Sequence, residues 1–366
     1  MFDIVIQILF DVKTSGGFPM GKIISFAFLL ILPFVGKAQI KSENWEVEGE
    51  VDVLTRIGSQ PSSERGQVAF SVPSLKLSAD YLIEKNNSVY FQVQMAENRN
   101  KDTKKFQTEL GRAYYQHLSD DDSWIFRYGL IKNAYLDDNE LLLDSDLVPE
   151  FREFAYRYNY LPSADVGVEI RYVTSPYLDF SLSIYNGEEN TTKEDGMHKD
   201  VYVGINYDDS SFHLALLAIR GAYDEYESPL NVKERNLARI VWKGSFLELG
   251  VEGLTSKELS NATQAYNRAE GWDGTAYSET MVQAEGVSTW LLFKIDSELQ
   301  FLARKDYLDP YKEVKLDEIE SENLALIVKD KFKSWVFGYT KTVYKELHST
   351  KSPEKEYGFL GLRQIF

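Results

Sequence analysis

Four histidines, His117, His198, His213 and His348, are the only imidazoles available for acid–base or metal chemistry, and none stands in a catalytic pattern. A Ser/His hydrolase needs an imidazole held between a nucleophilic hydroxyl and an orienting acid or amide. His213 follows Asp208-Asp209-Ser210-Ser211 and His117 precedes Asp120-Asp121-Asp122, so both read as solvated turn or wall residues. Neither sits beside a Gly-x-Ser-x-Gly elbow, and no His-x-x-x-His metal pair exists. With no cysteine, disulfides, thiolate metal sites and Cys nucleophiles are excluded. The 57 Asp and Glu outnumber 40 Lys and Arg, for a net charge of −17, which argues against binding a phosphate backbone. Asp137, Asp138 and Asp144 carry oxygen ligands of the kind Ca²⁺ takes, but their spacing matches no defined loop. Weak Ca²⁺ contact at acidic loops is therefore the most expected, with no cofactor, no structural metal and no enzyme activity.

The charges are better read as a field. Arg127, Lys132, Arg171, Arg239 and Arg304 fall in or at the ends of alternating runs, as does Lys76. One long segment, 133–163, carries Asp137, Asp138, Glu140, Asp144, Asp146, Glu150 and Glu153 against only Arg152 and Arg157. An acidic loop facing a partly basic wall would steer ions through a constriction rather than catalyse a reaction.

Such a field needs a frame, and the chain supplies one. Met20-Gly21-Lys22, the apolar run Ile23–Phe34 and the small residues Gly36 and Ala38 have the form of a secretory signal peptide. Translation is expected to start at Met20 and cleavage to follow Ala38, leaving 39–366 as one domain; a retained anchor is the alternative. Beyond position 38 no apolar run reaches the length of a membrane-spanning helix.

Period-two alternation is common instead. Leu75, Leu77 and Ala79 alternate with Lys76, Ser78 and Asp80; Trp124, Phe126, Tyr128 and Leu130 flank Arg127; Val201, Val203 and Ile205 flank Tyr202 and Gly204. Sixteen such runs are separated by connections that alternate between tiny (Ser175-Pro176, Asp209-Ser210, Gly244, Asp296, Asp330) and long (57–72, 133–163, 256–278). The pattern predicts an all-β, transmembrane, antiparallel up-and-down β-barrel of about sixteen strands, with short periplasmic turns and long extracellular loops. A secreted β-sandwich or propeller also alternates, but does not require this rhythm of connections. A barrel reconciles membrane residence with a mean hydropathy of −0.33, because half of each strand faces the lumen.

On the run 123–132, four apolar residues share the lipid side, so Arg127 must point inward; an Arg at mid-membrane on the lipid face costs about 2–4 kcal/mol. Lys132 has the opposite parity and reaches the lumen only if the strand ends or bulges near Ile131. The lumen is expected to be polar and open, with Ser78, Gln92, Gln94, Ser181, Ser183, Asn206, Glu248, Glu252, Ser334, Gly338 and Thr340 inward. Loop 133–163, with Phe151, Phe154, Tyr156, Tyr158 and Tyr160, is too apolar for a solvated tail. It either folds inward and narrows the pore or caps neighbouring loops outside.

The last strand ends Leu360-Gly361-Leu362-Arg363-Gln364-Ile365-Phe366 and resembles the carboxy-terminal assembly signal of bacterial outer-membrane barrels, which implies the barrel-assembly machinery as a partner. Phe126-Arg127-Tyr128-Gly129-Leu130-Ile131-Lys132 resembles the arginine-x-glycine-x-x-lysine strand end of the phosphate-selective porin O and P family. Ile184-Tyr185-Asn186-Gly187-Glu188 and Leu302-Ala303-Arg304-Lys305-Asp306 resemble two further strands of that family. The resemblance implies a water-filled general or anion-favouring channel in the outer membrane, often trimeric, passing small hydrophilic solutes or ions. The acidic loop departs from an anion ladder, so phosphate selectivity is not carried over. A non-conducting structural or adhesive barrel and, further off, an outer-membrane hydrolase are the competing readings.

Overall fold

The computed structural model describes residues 40–41, 44–59, 67–98, 105–137, 147–187, 199–222, 232–260, 280–312, 318–330, 333–345 and 354–365. The expected leader, Asp138, Glu140, Asp144, Asp146 and Phe366 lie outside them. The strands are β1 (Ile40–Lys41), β2 (Trp45–Ser59), β3 (Gln67–Ser71), β4 (Leu75–Glu84), β5 (Asn87–Asn98), β6 (Lys105–Leu118), β7 (Trp124–Lys132), β8 (Ala164–Ser175) and β9 (Leu178–Tyr185). They continue as β10 (Asp200–Asp208), β11 (Phe212–Gly221), β12 (Lys233–Lys243), β13 (Leu247–Ser260), β14 (Thr280–Lys294), β15 (Leu299–Asp309), β16 (Ile319–Asp330), β17 (Lys333–Tyr344) and β18 (Glu354–Ile365).

Each strand from β4 onward pairs antiparallel with the next, and β18 returns to β2, which pairs with β4. The ring therefore closes on sixteen wall strands, β2 and β4 to β18. The short β3 lies inside the segment expected to be a loop, 57–72, and pairs with the far half of β2 in line with β4. Val72-Pro73-Ser74 interrupts that wall position, where a proline can donate no ladder bond. Ser74 bridges the break: its Oγ donates to Asp52 Oδ2 at 2.7 Å, and its carbonyl accepts from Asp52 N at 2.9 Å.

Aspartates set the short turns. Asp121 Oδ1 accepts from the Ser119 and Ser123 hydroxyls at 2.6 and 2.8 Å, and these bonds hold its carboxyl down to about 2. Asp209 Oδ1 takes the N–H groups of Ser211 and Phe212, both at 2.7 Å, and Asp296 Oδ1 those of Glu298 and Leu299. A short acidic side chain that caps its own turn favours a tight reversal.

The outward face is apolar and open: Leu77, Val168, Val203, Val251 and Leu326 are all exposed there. Near the short-turn end it carries aromatic pairs, Trp45 with Tyr81 and Trp124 with Tyr172, each with ring centroids 4.5 Å apart. An apolar band edged by aromatics is the surface a barrel presents to lipid.

The core sits inside the barrel. The described parts of loop 133–163, residues 133–137 and 147–163, fold into the lumen and build two apolar clusters against the wall. One joins Tyr135, Leu136, Phe154 and Tyr158 to Leu217, Ile219, Leu237, Leu254 and Leu308. The other joins Leu147, Val148 and Phe151 to Leu54, Trp290, Leu292, Leu302, Ile327 and Val336. This corrects the expectation of a lumen polar throughout. The polar positions from Ser78 to Thr340 do share the inward face by register, but β11 to β18 interleave them with large apolar residues. A segment packed inside a barrel needs a hydrophobic partner, and this part of the wall supplies it.

Candidate functional site

The described parts of the loop, 133–137 and 147–163, contain α1 (Ala134–Asp137), a 3-10 turn (Pro149–Phe151) and α2 (Phe154–Arg157). Asn133 starts α1, its Oδ1 accepting from Tyr135 N at 2.8 Å. Polar contacts then tie the loop to the wall strand by strand. On β13, the fully buried Glu252 accepts from Tyr135 OH at 3.2 Å and from Phe154 N at 3.0 Å. Arg157 donates to Asp306 Oδ2 on β15 at 2.5 Å and to Ser321 Oγ on β16 at 2.9 Å. Arg235 on β12 donates to Tyr160 O at 2.5 Å, and Tyr357 on β18 donates to Glu150. At these ties the wall accepts from the loop through Glu252, Asp306 and Ser321 and donates to it through Arg235 and Tyr357, a pairing of the kind buried polar groups require.

Glycine makes room for this packing. A Cβ on Gly286 of β14 would lie 2.4 Å from the Phe154 ring, so the loop's aromatic fills a slot that no other residue leaves.

On the opposite side the loop stands off from the wall. Between them lies a polar cleft of about 60 Å³. The wall side presents Lys76 from β4, Gln92 and Gln94 from β5, Arg112 from β6 and Lys132 from the end of β7; the loop side presents Leu136, Glu153, Tyr156 and Ser163. Lys76 pairs with Glu50 at 3.0 Å. Arg112 lies 5.9 Å from the centre of the Tyr90 ring, which stacks on Tyr114 at 5.2 Å, and Arg127 covers Tyr114 at 5.4 Å. Burial lifts the Glu153 carboxyl above its ordinary range, against the pull of Arg239 and Lys132.

The residues singled out in the sequence fall into three groups. Arg127 points inward, donating to Gln116 at 2.8 Å and pairing with Glu169 at 3.3 Å. Arg171 shares that wall, 3.9 Å from both Glu169 and Asp179. Lys132 lines the cleft despite its parity, because β7 ends there. Arg239 and Arg304 also turn inward but do not reach the cleft. Arg239 is fully buried under the Tyr135 ring, 4.4 Å from its centre, and donates to Tyr135 O; Arg304 donates to Arg152 O at 2.6 Å and to Asp306 at 2.7 Å. Both are anchors of the loop. Of the loop acids, Asp137 closes α1, and the other four candidates are outside the described residues.

Arg112 was missed for a definite reason. The register slips between Gln92 and Val93, leaving Gly111 as an extra residue in β6. A bulge reverses the facing of every later residue, so plain alternation from Leu110 puts Arg112 on the lipid side. A glycine inside an alternating strand was the available signal. His213, expected to be solvated, is buried and inward, 3.7 Å from Asp208; His117 meets Asn87 at 2.7 Å.

No family model matches the chain, and no curated protein matches it by sequence. Solved structures do match. An anion-selective porin from Comamonas acidovorans aligns with TM-score 0.62 at 10% identity, over 88% of this chain and 99% of its own. The outer-membrane channel DcaP of Acinetobacter baumannii gives 0.60 at 12%, over 90% and 100%. Salmonella typhi OmpF, in complex with daunomycin, gives 0.63 at 11%, over 88% and 98%. At these identities the likeness is one of architecture, and the architecture is that of the closed sixteen-stranded barrel of outer-membrane porins.

Proposed function

We propose that the protein is an outer-membrane diffusion channel of a Gram-negative type of envelope, passing small hydrophilic solutes and ions along the β4–β7 side of its lumen. The reading rests on one observation above the others: a polar cleft bounded by Lys76, Gln92, Arg112 and Glu153 inside a barrel whose outer face is apolar. A hydrophilic passage lined by charged and amide groups is what a porin needs between two aqueous compartments. The porin architecture of the solved neighbours supports it. In this reading the short turns face the periplasm, the leader directs export, β18 with Phe366 engages the assembly machinery, and a trimer is the expected assembly.

The finer likeness to phosphate-selective porins is limited to strand-end motifs. Arg304, part of one such motif, is buried against Asp306 and the Arg152 carbonyl, beneath the loop and away from the cleft. Phosphate selectivity is therefore not part of the proposal.

A second reading, a non-conducting structural barrel, draws on the two apolar clusters that fill the other side of the lumen. Planar-bilayer recording of the purified protein, with reversal potentials in a salt gradient, separates the two. Unitary current steps are expected. A folded, heat-modifiable barrel that inserts without conducting would establish the plugged reading instead.

A further inference from the structure

The outward face changes character around the barrel. Six residues beyond Tyr172, Leu178, Tyr207 and Phe212, the outward positions of β8 to β11 are Val166, Ile184, Val201 and Ala218. On β15 to β18 the same step starts from Leu299, Val328, Trp335 and Leu362, which form one cross-strand row, and reaches Lys305, Glu322, Lys341 and Glu356. These four are again direct cross-strand neighbours, and their charges alternate in sign. Six residues cover about 20 Å of strand and, at a tilt of about 40°, about 15 Å of height, inside an apolar band about 25 Å tall. Lys305 and Glu322 pair at 3.2 Å, yet their side chains stay 56% and 59% exposed; Lys341 pairs with Glu354 at 3.4 Å. Exposed charges at the depth where β8 to β11 present valine and isoleucine are destabilising against acyl chains, paired or not. This sector is built to face something other than lipid.

We propose that the outward face of β15 to β18 is the contact between copies of this chain, with the Lys305-Glu322-Lys341-Glu356 ladder at its centre. The proposal rests on the outer-membrane reading, names the face through which the expected assembly forms, and does not depend on conduction. Copies arranged about an axis along the membrane normal bring the left edge of one face against the right edge of the next. A four-member ladder that starts with lysine and ends with glutamate is complementary to itself under that operation. Glu322 comes opposite the partner's Lys341 nearest the axis, and Lys305 opposite the partner's Glu356 further out. Below the ladder, Phe301, Leu326, Phe337 and Leu360 supply an apolar row, and Ala303 and Gly358 keep the row between low at both edges, so that a second barrel can approach. Phosphorylated lipid headgroups suit the face less. Glu320 and Glu354 stand on the row above, so even with Lys345 counted there is no net positive patch.

The chain has no cysteine, so introduced thiols report contact without background. Glu322→Cys and Lys341→Cys, carried on differently tagged full-length chains, are expressed together and oxidised in the outer membrane. An inter-chain disulfide is expected from this pair and none from Val168→Cys, the lipid-facing control on the far side. Lys341→Glu sets like charges opposite each other and is expected to weaken assembly by about tenfold or more in native electrophoresis of unheated protein, whereas Lys341→Arg keeps it. Should Lys341→Glu fail to insert, the cysteine pair still decides. Absence of the disulfide with both chains inserted overturns the proposal, whatever the oligomeric state. Full assembly of Lys341→Glu overturns it too, and a fall in the phosphorylated glycolipid co-purified with that variant would assign the face to lipid headgroups instead. A disulfide-linked barrel that passes no current overturns the channel reading and leaves this face standing.

Discussion

Between β11 and β18 the inward face carries Leu217, Leu237, Leu254, Trp290, Leu302, Ile327 and Val336, whereas between β4 and β7 it carries Lys76, Gln92, Gln94, Arg112 and Arg127. Both faces come from the same period-two strands in one closed ring, and both look into the same lumen. What differs is what meets them. The first is covered by residues 133–137 and 147–163 of the loop, through two apolar clusters and a series of buried polar ties; the second faces the open cleft. Ordering the loop costs about 1–2 kcal/mol per residue in backbone entropy. Burying side chains such as Leu147, Phe151 and Phe154 offsets this at about 1.5–3 kcal/mol each. A barrel thus gains a fixed constriction by giving up part of its lumen to a core.

The strongest way to break this contrast is to unseat the loop. Phe154→Ala removes a fully buried ring from the Gly286 slot and should cost about 3–5 kcal/mol of stability. Gly286→Val attacks the same contact from the wall, since its new side chain occupies the space of the ring. In both variants the heat-induced gel shift should move to lower temperature and unitary conductance should rise as the loop leaves the lumen. Unchanged conductance with lowered stability would mean that the polar ties hold the loop by themselves.

Those ties are tested by the Arg157–Asp306 pair. Removing one partner leaves a buried charge, so Arg157→Ala should cost about 3–5 kcal/mol. Asp306 also meets Arg304 at 2.7 Å, which places the loss toward the lower end. The double variant Arg157→Met/Asp306→Leu should recover much of it, because an apolar pair suits the surrounding cluster. The thermal midpoints of both single variants and the double variant give the coupling directly.

The outside of the barrel carries an apolar band on both sides, and this was legible in the sequence. Alternation placed Leu77, Phe126 and Val203 outward, and the rhythm of short and long connections gave the sixteen strands, because each follows from local backbone geometry alone. The inside was legible only in part. Inward positions such as Gln92, Glu252 and Arg239 followed from parity, but parity does not say which of them a distant loop covers. Arg239 and Arg304 were therefore read as lining the passage although both lie beneath the loop, and Arg112 was hidden by the bulge at Gly111. The outward face gives a smaller prediction: Val168→Arg should cost about 2–4 kcal/mol near mid-membrane. Gln92→Arg, on the cleft, should leave stability nearly unchanged. Both are read from urea-induced unfolding in detergent or lipid. A comparable loss for Gln92→Arg would show that the open side is packed after all.

The smallest effect is expected at Arg127, and it asks which side of the comparison that residue belongs to. By position it is part of the open wall, on β7 next to β6. By its contacts it resembles the sealed one, since its guanidinium is shared among Gln116, Glu169 and the Tyr114 ring. Arg127→Ala leaves Glu169 fully buried, but Arg171 lies 3.9 Å away, and the Ser183 and Tyr185 hydroxyls donate to the other carboxylate oxygen at 3.5 and 3.3 Å. The carboxylate keeps partners, so the loss should fall to about 1–3 kcal/mol rather than that of a stranded charge. Because Glu169 already balances Arg127, the zero-current potential in a salt gradient should move little for Arg127→Ala. A larger shift at Arg127 would make it a determinant of ion preference and would extend the conducting wall from the cleft across β7 to β8.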